Sequence, residues 1–197
     1  MSFALGLTGS IGMGKSTTAK MFSELGCAVW DADAAVHRLY APGGGAVEPM
    51  RAVFPTAIID GGVDRNTLKQ IIATNPDALK QIETIVHPLV GQDRTDFRAA
   101  ATSDILVFDI PLLFETGGEA RVDAVACVSI DAQTQEARVM ARGTMTKAQF
   151  EQIKQKQMPD GEKRTKADYI IITDTESHAR EQVQAIVSDI RKGLGHA

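Results

Sequence analysis

The residues with the plainest chemistry stand near the start of the chain. Gly9-Ser10-Ile11-Gly12-Met13-Gly14-Lys15-Ser16 fits G-x-x-x-x-G-K-[ST]. An apolar run, Phe3-Ala4-Leu5-Gly6-Leu7, precedes it and a helix-like run from Thr17 to Leu25 follows. Strand before and helix after is the setting that a phosphate-binding loop requires. Glycines let backbone N–H groups turn onto phosphate oxygens, and the start of the helix adds its positive end. The stretch Ser10, Ile11, Gly12, Met13, Gly14, Lys15, Ser16 and Thr17 is therefore expected to hold ATP. Lys15 would reach the β- and γ-phosphates, and Ser16 would hold Mg²⁺.

Phosphoryl transfer also needs an acceptor-orienting group, help in placing the metal, and cations over the moving phosphoryl. Asp31 and Asp33 follow the apolar residues 28–30, at the strand edge where ligands bind in a doubly wound sheet. If the chain stays extended, both side chains share one side. Asp33 is expected to act as base. Asp31 stands open between supporting the site and capping the next helix. Asp109 ends an apolar strand, the place of a metal-supporting acid, and Glu115 faces either the site or solvent. Arg138 and Arg142, four apart, share one helix face. They are either a charge clamp on a lid that closes over ATP or a solvated surface. His87, just before Pro88, is structural or functional with nothing further to decide it.

The elements that must position these residues alternate. Residues 4–7, 28–30, 105–110, 124–130 and 169–172 read as strands that are apolar at successive positions, which suits a parallel sheet covered on both faces. With helices between them the class is α/β. The first helix is expected over 15–25, with Gly26 as its stop. From 45 to 101 helix dominates and no convincing strand pair is visible. One helix should run through Ala73 and another should start near Asn75-Pro76-Asp77, with His87-Pro88 interrupting it. A segment this long between two strands exceeds a simple crossover and reads as a substrate-binding insertion. Thr146 with Gln149 forms a capping-box pattern. Lys163, Arg164 and Lys166 make a basic cluster, and residues 177–192 form an amphipathic helix with Val183, Ile186, Val187 and Ile190 on its apolar face.

The formal charge of −4 argues against an extended nucleic-acid surface, and no apolar stretch is long enough for a bilayer. Cys27 and Cys127 lie in apolar runs and read as small buried hydrophobes rather than a disulfide or metal pair. No signal peptide is expected ahead of the first strand. These features suggest a cytoplasmic enzyme, monomeric or weakly self-associating.

From end to end the chain resembles the dephospho-coenzyme A kinase family. The matching pieces are the loop from Gly6 to Thr17, Asp31-Ala32-Asp33, His87-Pro88, Asp109-Ile110-Pro111-Leu112-Leu113-Phe114-Glu115, Arg138 with Arg142, and Gln157-Met158-Pro159 with Lys163 and Ala167-Asp168. The resemblance implies a three-layer P-loop kinase fold with a five-stranded parallel sheet. Its core would comprise residues 1–34, 102–137 and 164–197, with a helical coenzyme-binding insertion at 35–101 and a small helical lid at 138–163. It implies transfer of the ATP γ-phosphoryl to the ribose 3′-hydroxyl of dephospho-coenzyme A. It makes Lys15, Asp33, Arg138 and Arg142 catalytic, with Arg142 also on ATP. It assigns Thr8, Asp31, Asp33, His87, Asp109 and Leu113 to the acceptor, and Ser16 with Asp109 to Mg²⁺. Two positions depart from the family pattern: Ser10 stands where Gly is usual and Thr173 where Asn is usual. The rival readings are another small-molecule or nucleoside monophosphate kinase, and a regulatory nucleotide-binding protein. The latter would carry a switch segment in place of the lid.

Overall fold

Chain order sets the architecture: β1 (Phe3–Thr8), α1 (Lys15–Glu24), β2 (Ala28–Asp31), α2 (Ala32–Tyr40), α3 (Val47–Val53), β3 (Ile58–Ile59), β4 (Gly62–Val63), α4 (Arg65–Thr74), α5 (Ala78–Ala100), β5 (Ile105–Asp109), β6 (Ala124–Ser129), α6 (Ala132–Ala141), α7 (Lys147–Lys156), α8 (Asp160–Lys166), β7 (Tyr169–Ile172) and α9 (Glu176–Leu194). The structure is a computed structural model that describes residues 2–195. Met1, His196 and Ala197, which the expected core includes, lie outside the described residues. The chain divides into two compact units. One comprises the residues up to Trp30 together with those from Ala101; the other is Asp31–Ala100.

The first unit is built on a five-stranded sheet in the order β2-β5-β1-β6-β7. β1 runs parallel to β5 and β6, and β6 runs parallel to β7. Successive strand residues point to opposite faces. Leu5, Leu7, Ile105, Val107, Ala126, Val128 and Ile171 pack with Met21 and Phe22 of α1 and with Val183, Ile186, Val187 and Ile190 of α9. On alternate positions Val125 joins Leu113, Phe114 and Met158. Both faces are covered, which is why these strands are apolar throughout. Trp30 packs its ring 6.1 Å from that of Phe108. Cys27 and Cys127 are both free and buried, as expected.

The second unit is helical, with Tyr40, Met50, Phe54, Leu68, Ile82 and Val86 in its core and Arg38 paired to Asp93 at 2.6 Å. Three expectations need correction here. A small antiparallel hairpin, β3 with β4, lies in the stretch read as strandless. Its turn is Asp60-Gly61, with φ of 48° and 80°, a two-residue turn chemistry that supports a hairpin even between very short strands. Helix α5 does not stop at His87-Pro88; it continues to Ala100 with Pro88 inside it. Pro removes one intrahelical bond, and a 23-residue helix seated by Ile82 and Val86 tolerates that loss. The chain also does not stay extended through Asp33, because α2 begins at Ala32.

Phe22 is fully buried between α1 and the sheet. Phe22→Ala should lower unfolding free energy by about 3–5 kcal/mol, read from the denaturant midpoint at unchanged slope.

Candidate active site

The phosphate loop joins β1 to α1 by residues 9–14, all within the first unit. Gly12 and Gly14 have φ of 80° and 94°, a region that L side chains avoid. Space is short there as well: a Cβ on Gly12 would clash at 2.5 Å from Val139 Cγ2, and one on Gly14 would lie a tight 3.2 Å from Thr173 Cβ. Ser10 is buried, and among the described residues Asp60 is the one non-glycine with positive φ. Serine therefore sits at position 10 without a left-handed backbone.

The loop's polar groups are held from several directions. Ile11 N donates to Gln157 Oε1 at 3.0 Å, and Ile11 O accepts from Gln135 Nε2 at 2.7 Å. Met13 O accepts from Thr173 Oγ1 at 2.7 Å. Thr18 N and Thr18 Oγ1 both reach Gly14 O at 3.1 Å. The first-turn amides of α1 have no partner within their helix, so they remain as donors for an anion.

Lys15 Nζ forms an ion pair with Asp109 Oδ1 at the end of β5, where the carboxylate is almost wholly buried. That pairing compensates a charge that burial would otherwise penalise. It also places a cation and a carboxylate beside the loop. The Ser16 hydroxyl, an oxygen donor next to Lys15 in the chain, stands in the exposed first turn of α1. Among the described residues no group of three or more His, Cys, Asp or Glu is arranged to hold a metal. One hydroxyl and one carboxylate suit Mg²⁺, which takes most of its ligands from phosphate and water.

Helix α6 lies along the loop. Arg138 donates through Nη1 to Thr173 Oγ1 at 3.0 Å and through Nη2 to Thr173 O at 2.5 Å. Arg142, the C-cap of α6, is exposed. Both arginines line a cleft of about 180 Å³ with Gly12, Gly14, Thr17 and Thr173.

Other expected residues serve the interior. Thr8 is fully buried, and its Oγ1 donates to Pro111 O at 3.1 Å. Leu113 is fully buried against Gly6 and Gly118. Both side chains are packed into the core. Lys163, read as part of a basic lid cluster, is 0% exposed. It donates to Glu115 at 2.9 Å and to Pro111 O at 3.1 Å. Glu115 also accepts from Met158 N at 2.7 Å, so its Oε1 is taken up by two donors of the chain itself. Burial pushes the Glu115 carboxyl up, but the Lys163 and Met158 hydrogen bonds outweigh it and hold it below its ordinary 4.5. The region 157–166 is thereby fastened to the core through α8. A buried lysine, and the buried Gln135, leave no local mark in the sequence that separates them from surface residues.

In the second unit, Asp31 caps α2 by accepting from Ala34 N at 2.9 Å. Asp33 is exposed in the first turn of α2, and His87 is exposed on α5 beside Pro88.

The family model of dephospho-CoA kinase (CoaE) matches residues 3–179. The chain belongs to the dephospho-CoA kinase family. A dephospho-CoA kinase of Ruegeria pomeroyi is 69% identical over all 197 residues, covering 100% of both chains. The TT1252 crystal structure from Thermus thermophilus superposes with a TM-score of 0.85 at 30% identity, covering 95% of this chain and 97% of that one. A dephospho-CoA kinase from Campylobacter jejuni shares the fold at a TM-score of 0.71 and 24% identity, over 98% and 100% of the two chains.

Lys163→Met strands a buried carboxylate and should cost about 3–5 kcal/mol. A folded value below the unfolded one means that Glu115 stabilises above pH 4.5 and that this contribution disappears as pH falls through the folded value. Denaturation midpoints taken between pH 7 and pH 3 should therefore fall less steeply for Glu115→Gln than for the wild type.

Proposed function

We propose that the chain transfers the γ-phosphoryl of ATP to the ribose 3′-hydroxyl of dephospho-CoA, giving CoA and ADP. The observation that carries this reading is the phosphate loop, with its two left-handed glycines and Lys15 at the mouth, inside a chain matched to the family from residue 3 to 179. Loop amides and Lys15 hold the phosphates and offset their charge. Arg138 and Arg142 supply cationic charge from the cleft wall, where negative charge develops during transfer.

Asp33 serves as base. It accepts the proton of the 3′-hydroxyl as that oxygen bonds to the γ-phosphorus and the bond to the β,γ-bridging oxygen breaks. Its exposed carboxylate is free to meet a substrate hydroxyl. Asp31 supports it by capping α2, and His87 contacts the acceptor. Ser16 and Asp109 would hold Mg²⁺, which would supply charge compensation for the phosphates during transfer. The reading includes a cytoplasmic enzyme, monomeric or weakly self-associating, that works on soluble nucleotides without nucleic acid or membrane. Among the described residues no helix is long and apolar enough to cross a membrane.

ADP release from Mg·ATP should require dephospho-CoA and match CoA formed mole for mole. Turnover with AMP instead would replace the acceptor, and turnover indifferent to any acceptor would sink the kinase assignment. Lys15→Ala should abolish transfer. Asp33→Asn should lower kcat by about a hundredfold with little change in the KM for ATP.

A further inference from the structure

A trans peptide points its C=O and its N–H in opposite directions. Two peptides of the phosphate loop have their carbonyls held by side chains from elsewhere. Ile11 O accepts from Gln135 of α6 at 2.7 Å, and Met13 O accepts from Thr173, just past β7, at 2.7 Å. The N–H groups of those same peptides belong to Gly12 and Gly14. Holding each carbonyl on the α6 and β7 side turns the paired amide the other way. The two glycines thus fixed are the ones with φ of 80° and 94°. A backbone with this freedom has other orientations open to it and needs an anchor to keep one.

The anchors are built for the purpose. Gln135 is 2% exposed and Thr173 6% exposed, so neither side chain has water to turn to. Thr173 has one hydroxyl proton, and the short bond to Met13 O takes it. Its lone pairs receive Arg138 Nη1 at 3.0 Å. A hydroxyl committed in this way has no donor left for a nucleobase, although Thr173 lines the same cleft as Gly12 and Gly14.

The geometry points to Gln135 and Thr173 as positioning residues that set two peptide planes of the phosphate loop, so that Gly12 and Gly14 present their amides to a polyphosphate. Thr173 acts on the loop and not on the base. This rests on the reading of residues 9–16 as the ATP phosphate cradle.

The test uses the full-length enzyme with dephospho-CoA as acceptor. Thr173→Val keeps the shape and removes the hydroxyl; Thr173→Ser keeps the hydroxyl. Loss of an orienting bond should lower kcat/KM for ATP by about tenfold in Thr173→Val, and likewise in Gln135→Met. Thr173→Ser should stay within about twofold of wild type on the same reasoning. The preference for ATP over GTP should be the same in all three variants as in wild type. Thermal melts confirm that each variant is folded, and rescue by serine separates a lost hydroxyl from a disturbed core. Unimpaired kcat/KM in Thr173→Val, or an altered ATP-to-GTP preference, overturns the inference. Failure of the wild type itself to use ATP would instead overturn the reading of the loop.

Discussion

A parallel strand covered by helices on both faces can carry polar groups only at its ends, and the first unit obeys that constraint closely. Thr8 ends β1, Asp109 ends β5, Ser129 ends β6 and Thr173 follows β7, all four buried. Each finds its partner in a segment beyond its own strand. Thr8 holds Pro111, Asp109 holds Lys15, Ser129 donates to Asp160 at 2.7 Å, and Thr173 holds Met13. The carboxyl edge of the sheet is thus a row of fixed points on which loops are hung. Ligand chemistry gathers at that edge in open α/β sheets because it is where a buried framework can offer polar groups without breaking its own core.

The buried Lys163 belongs to the same design. Its ammonium and the Thr8 hydroxyl share the Pro111 carbonyl, so the turn after β5 is tied at once to β1 and to α8. Met158 N, bonded to Glu115, and Gln157, bonded to Ile11, are adjacent in sequence. One short stretch therefore joins the ion pair to the phosphate loop. A pair of opposite charges in a dry interior adds little net stability over an apolar pair. Its value lies in fixing one register for the segment that carries it.

What the sequence made legible followed from local rules. The five strands stood out because two covered faces demand unbroken apolar runs, and the loop stood out because a backbone anion site demands glycine at set spacing. The Thr146–Gln149 capping box is formed as expected. What escaped was decided by partners distant in the chain. Lys163 looks like any helix lysine until β5 and its turn close around it. Gln135 lies 124 residues from the carbonyl it holds. Pro88 satisfies the local rule for a helix stop, yet the packing of α5 overrides it. Asp60-Gly61 carried a genuine turn signal, but strands of two residues each have no periodicity to reveal them.

The two cysteines are buried, and burial pushes their thiols up, to about 11 for Cys27 and about 12 for Cys127. At neutral pH almost no thiolate forms at either. Coenzyme A and its precursor are themselves thiols, and their oxidised forms are disulfides. A protein thiolate would attack such a disulfide and become trapped as a mixed disulfide. With both thiols protonated and enclosed, neither cysteine is poised to exchange with such a disulfide.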